Sequence, residues 1–197
     1  NNECVVIADE IWSDLILKGS QHIPTQSISP DARNRTIALY APSKTFNLAG
    51  LVGSYHIIFN KMLRDRVEAK SRKSHYNTMN VLSMHALIGA YEAEGYTWVN
   101  ELCQVLSENA DYAVNHIRDY YRGIEVSKPQ GTYMLFLDCE DWCEENYKSL
   151  DELLKAGWDV GVAWQDGRPF HQKYGIRMNL ALPLGRVKEA FERLDEY

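Results

Sequence analysis

The chain has 197 residues, 45% of them hydrophobic, with a formal net charge of -6. Basic residues are dispersed except over residues 64–73, which argues against nucleic acid as a partner, and no apolar run is long enough to cross a bilayer. Cys4, Cys103, Cys139 and Cys143 fit no zinc spacing and read as reduced thiols of a cytoplasmic protein. No signal peptide is visible. The sequence opens on Asn1-Asn2-Glu3 without an initiator Met and enters an apolar run at once, so it reads as a piece cut from a longer chain.

Residues 4–8 are apolar and β-branched and end on Asp9-Glu10. Such a run predicts a short strand in a sheet covered on both faces, with its carboxylates at the strand end where open α/β sheets place ligands. Residues 19–35 carry Gly, Ser, Pro and Asn and read as a loop. A second strand is expected over 36–40 and a third over 52–59, followed by a charged helix over 62–73. The next helix covers 80–94, with Gly95 as its stop. Trp98, Leu102, Val105, Ala113, Ile117 and Tyr121 then mark one long helix. At 1.5 Å per residue it spans roughly 36 Å, a length suited to connecting two domains.

The second half changes to shorter units. Strands are expected at 124–126, 132–138, 160–163 and 175–182, helices at 150–156 and 186–194, and a turn at Pro129-Gln130-Gly131. This reads as a small α+β domain beside a larger α/β domain, with residues 1–100 in the larger one and 101–197 forming the linker helix and the smaller one.

Three groups stand out chemically. Lys44 follows a buried strand on the turn Pro42-Ser43-Lys44; a lysine there is either solvated or used, for example as a Schiff-base amine. Asp9 is either a common strand-end aspartate or a buried carboxylate that keeps a heterocyclic nitrogen protonated. Arg177 shares a strand face with Asn179 and Ala181, opposite Ile176, Met178 and Leu180. It either borders solvent or offers a fork to a substrate carboxylate, with Tyr133 lining the same cleft. The histidines show no metal spacing, and no glycine-rich phosphate fingerprint or nucleophile elbow is present.

Four stretches resemble one family: Asp9-Glu10-Ile11-Trp12-Ser13-Asp14-Leu15, Pro42-Ser43-Lys44-Thr45-Phe46-Asn47-Leu48-Ala49-Gly50-Leu51, Pro129-Gln130-Gly131-Thr132-Tyr133 and Ile176-Arg177-Met178-Asn179. Their order and spacing resemble the class I/II, fold-type I enzymes that use pyridoxal 5'-phosphate (PLP). The wording around Asp9 and Lys44 is most similar to the cystathionine β-lyase, or C–S lyase, branch. The resemblance implies the aspartate aminotransferase-like α/β fold, represented by part of the large domain and the small C-terminal domain, hence a C-terminal half. It further implies that Lys44 carries PLP, Asp9 pairs with the pyridine nitrogen, and Ser43 contacts the phosphate. Trp12 stands where a tyrosine commonly bonds the cofactor's 3-hydroxyl. Arg177 holds the α-carboxylate of an amino-acid substrate, with Tyr133 nearby.

The implied activity is β-elimination from L-cystathionine or related cysteine S-conjugates, by a homodimer in which residues 74–80 reach the neighbouring site. Two departures bear on this. Val52 occupies the place of the phosphate-binding arginine of many aminotransferases, and Ala41 the place of a serine. Both fit the lyase branch better. An aminotransferase and a non-catalytic fragment remain the alternatives.

Overall fold

The computed structural model describes residues 4–74 and 78–196. The chain forms two compact units, one from residues 1–16 and 20–101, the other from residues 17–19 and 102–197.

The first unit is built on a three-stranded sheet. Strand β1 (Val6–Asp9) runs parallel to β2 (Thr36–Tyr40), in register from Val6 opposite Thr36 to Asp9 opposite Leu39. Strand β3 (Tyr55–Ile57) pairs with β2 antiparallel. Because β1 and β2 are parallel, Asp9 and the chain that follows Tyr40 leave the sheet at the same edge. That is the ligand edge of open α/β sheets.

The loop expected over 19–35 contains a 3-10 turn (Thr25–Ser27) and helix α1 (Pro30–Arg35). Ser29 caps α1 by accepting from the Ala32 amide at 3.0 Å, and Pro30 opens it. Ser-Pro-Asp is a helix start that a composition-based loop reading passes over. Among the described residues one face of the β1 stretch is open. Val5 and Ile7 are 50% and 69% exposed, since no described element lies over that face.

Helices α2 (Pro42–Thr45), α3 (Lys61–Ser74) and α4 (Val81–Ala90) follow, and α5 (Ala93–Tyr120) runs from this unit into the second. The expected segment 74–80 includes residues 75–77, which lie outside the described residues. Gly95 is not the stop of α4. It sits in the first turn of α5, where an added Cβ would come within 1.9 Å of the Ala90 carbonyl oxygen and 3.3 Å of the Phe46 ring. Glycine here permits a close turn between helices rather than ending one. Gly95→Ala is expected to destabilise by about 1–3 kcal/mol through overpacking, read as a lower urea midpoint.

The second unit carries an antiparallel sheet in the order β4 (Glu125–Val126), β5 (Met134–Asp138), β7 (Gly175–Asn179), β6 (Gln165–Asp166). Leu135 and Leu137 of β5 and Ile176 and Met178 of β7 point into the core. There they join Leu106, Val114 and Ile117 of α5, Leu153 of α7 (Leu150–Asp159) and Phe191 of α8 (Leu184–Asp195). Helix α6 (Glu140–Glu145) was not anticipated. The strand expected at 160–163 is a helix ending instead. Gly161 takes φ +78°, and the Val162 amide donates to the Gly157 carbonyl at 2.7 Å. Buried Asn109 donates from Nδ2 to the Leu180 and Leu182 carbonyls at 2.8 and 2.7 Å, pinning the chain that leaves β7.

Candidate active site

The turn after β2 begins at Pro42, which opens the four-residue helix α2. Its hydrogen bonds are few: the Phe46 amide donates to the Pro42 carbonyl at 2.9 Å and the Leu48 amide to the Ser43 carbonyl at 3.2 Å. Asn47 lies in the left-handed region at φ +54°, a conformation asparagine tolerates better than most residues. This geometry presents Ser43 and Lys44 half-buried. The Lys44 ammonium lies 5.6 Å from the centre of the Trp12 ring. Among the described residues Lys44 has no hydrogen-bond or ion-pair partner, and neither does the Ser43 hydroxyl.

Asp9 ends β1 and is exposed, with a single weak bond from the Ile11 amide at 3.4 Å. The structure places Asp9 outside the buried reading; the buried carboxylate at this strand end is Glu10, which is 7% exposed. Its oxygens accept from the Tyr40 hydroxyl at 2.7 Å and the Thr25 amide at 2.9 Å, and meet His22 Nε2 at 3.2 Å. Burial pushes the Glu10 carboxyl up, but Tyr40, Thr25 and His22 together outweigh it and hold it below its ordinary value of 4.5. Burial and the Glu10 charge in turn push the Tyr40 hydroxyl well up. A carboxyl lowered in the folded state stabilises above its unfolded value and loses that contribution as pH falls through the folded one. Tyr40→Phe is therefore expected to cost about 1–3 kcal/mol at pH 7 and progressively less below the range where Glu10 takes up its proton. Urea titrations at several pH values would show it.

An aromatic group backs the turn. Phe46 packs edge-on to Tyr91 with ring centres 5.1 Å apart and lies 6.4 Å from Trp98, while Tyr55 stacks on Tyr40 at 5.5 Å. Thr45, fully buried, donates from its hydroxyl to Asp14 at 3.1 Å.

Arg177 and Tyr133 belong to the second unit. Arg177 donates to the Gln165 side-chain oxygen at 3.0 Å and lies 4.0 Å over the Phe170 ring. Among the described residues it has no carboxylate partner. Tyr133 is close enough to feel its charge: burial raises the phenol, and Arg177 partly opposes that. The structure thus groups Trp12 with Lys44, sets Asp9 at the same sheet edge, and groups Tyr133 with Arg177. No cluster of metal-ligating side chains occurs among the described residues, and no described helix is long and apolar enough to cross a membrane.

No protein-family model matches the sequence. Individual relatives do. Cystathionine beta-lyase PatB of Bacillus subtilis is 29% identical over 195 residues, which is 96% of this chain and 48% of the relative. An aspartate aminotransferase of Bacillus sp. strain YM-2 is 26% identical over 200 residues, 100% of this chain and 50% of the relative. Among solved structures, the PLP-bound C-S lyase from Staphylococcus hominis matches at 27% identity with a TM-score of 0.83, over 98% of this chain and 48% of that one. The chain is similar over nearly its whole length to members of the class I/II, fold-type I PLP-dependent family. It has the aspartate aminotransferase-like fold of that family and spans about half the length of the curated relatives it matches.

Residues that the sequence did not single out are Glu10, Asp14, Thr45 and Phe46. All four stand inside the stretches that carry the family resemblance. Their signal was adjacency to Asp9 and Lys44; their partners, Tyr40 and Tyr91, are distant in sequence and so not legible.

Proposed function

We propose that this chain is the C-terminal half of a PLP-dependent C–S β-lyase. Its substrates are L-cystathionine or related cysteine S-conjugates, its products thiol, pyruvate and ammonia. The observation that carries the reading is the Lys44 turn. An amine with no hydrogen-bond or ion-pair partner among the described residues stands beside an indole face, at the sheet edge that also bears the Asp9 carboxylate. These donors fit a pyridoxal ring. When bound, the cofactor supplies the electron sink for negative charge at the substrate Cα.

The chain's own residues then have distinct tasks. Lys44 would hold the cofactor through its amine and would serve as the general base toward the substrate Cα proton. Asp9 keeps the ring nitrogen protonated. Trp12 flanks the Lys44 ammonium, and Ser43 offers its hydroxyl to the phosphate. Arg177 binds the substrate carboxylate, with Tyr133 beside it, so that the Cα–H bond is oriented for removal. In this reading residues 1–100 are the C-terminal part of the large domain, and residues 101–197 the linker helix and small domain, of a cytoplasmic homodimer.

A second reading, an aminotransferase, is favoured by the Bacillus sp. strain YM-2 relative. Val52 weighs against it: it is apolar and 79% exposed where a phosphate-binding arginine would stand. The test is release of free thiol and pyruvate from L-cystathionine with PLP and no added 2-oxo acid. Amino transfer that requires a 2-oxo acid, without thiol release, would replace the lyase reading by the second.

A further inference from the structure

We propose that Asp14 is a positioning residue for the Lys44 amine, acting through the hydroxyl of Thr45. The proposal rests on the reading of Lys44 as the cofactor lysine. Helix α2 has four residues, too few to hold its own shape, so contacts outside it fix the direction in which Lys44 points. Two of these contacts come from the loop after β1, from residues two apart. Trp12 sets its ring 5.6 Å from the Lys44 ammonium, and Asp14 accepts the Thr45 hydroxyl proton at 3.1 Å.

That loop is itself firmly held. The Glu10 amide donates to the Leu39 carbonyl at 3.0 Å, the Ser13 amide to the Glu10 carbonyl at 3.0 Å and the Leu15 amide to the Trp12 carbonyl at 3.1 Å. The Leu15 side chain is fully buried. Thr45 is fully buried as well, so its hydroxyl has no access to water in place of Asp14. Tyr91 and Tyr96, which pack on the Phe46 ring next to Thr45, have their phenols pushed up by burial first, with smaller contributions from Tyr55 and Asp14.

The test compares wild type, Asp14→Ala, Asp14→Asn, Thr45→Val and the Asp14→Ala/Thr45→Val double variant. One readout is the rate at which Lys44 forms a borohydride-stable pyridoxyl adduct, followed by peptide mass analysis. Another is competitive acetylation of Lys44 in cofactor-free protein, scaled to exposed Lys61. Melting temperatures are measured alongside.

Asp14→Ala and Thr45→Val are each expected to slow adduct formation about tenfold, with the double variant no slower than either. Asp14→Asn, which keeps an acceptor, should restore the rate to within about threefold, and acetylation of Lys44 should rise about threefold in the two slow variants. Three results would overturn the proposal. The single variants could match wild type, their effects could multiply, or Asp14→Asn could be as slow as Asp14→Ala with a matching fall in melting temperature. If wild type forms no adduct yet the acetylation pattern appears as described, the cofactor reading fails and the positioning role stands.

Discussion

Lys44→Ala is expected to leave no turnover above background, a loss of about four orders of magnitude or more, because in the proposed mechanism one residue supplies both the cofactor linkage and the base. The fold should be indifferent to the change. The ammonium has no hydrogen bond or ion pair among the described residues, and its indole contact is long at 5.6 Å. The melting temperature should therefore move little, since truncating such a side chain costs within about 0.5 kcal/mol. An added small primary amine should return part of the activity by taking over proton removal. Full activity in the stable Lys44→Ala protein would remove the lysine from the chemistry.

Arg177→Ala should have the next largest effect. The arginine is preset rather than neutralised: Gln165 holds one nitrogen and Phe170 lies beneath the plane, while no described carboxylate competes for the fork. Losing such a charged contact to a substrate carboxylate costs about 2–4 kcal/mol, or roughly 30- to 1000-fold in kcat/KM. Arg177→Lys should recover only part, because an ammonium cannot give the two parallel bonds of a guanidinium. The decisive comparison uses a substrate analogue whose α-carboxylate is replaced by a neutral group. On that analogue wild type and Arg177→Ala should be equally poor. If the variant is still much worse than wild type there, Arg177 acts on something other than the carboxylate.

The sequence made the larger elements legible because their physics is local. Strand 36–40 is bounded by a change of composition on both sides, and the structure reproduces it residue for residue. The long helix of Trp98, Val105 and Ile117 follows from their spacing alone, and its observed span, Ala93–Tyr120, starts five residues earlier. What failed depended on neighbours distant in the chain. Gly95 looked like a stop, yet its role is set by the Ala90 carbonyl of the preceding helix. Residues 160–163 looked like a strand because they are apolar, but Gly161 in the left-handed region turns them into the end of α7.

The site divides in the same way. Asp9, Trp12, Ser43, Lys44, Tyr133 and Arg177 could be named from motif order. Which carboxylate of Asp9-Glu10 is buried could not, because Glu10 is drawn inward by Tyr40, His22 and Thr25, none of which adjoins it in sequence. The exposure of Val5 and Ile7 within this chain was unreadable for a related reason. Val5 and Ile7 are apolar by pattern, but what covers them is a property of other segments.

The measurement that bears most directly on the central claim is borohydride reduction of the PLP-treated protein, followed by peptide mapping. The account predicts one pyridoxyl group, on the peptide containing Lys44, and its disappearance in Lys44→Ala. Absence of the adduct, or its spread over exposed lysines such as Lys61 and Lys155, would contradict the account. It would leave a chain with the fold of the family but no cofactor chemistry of its own.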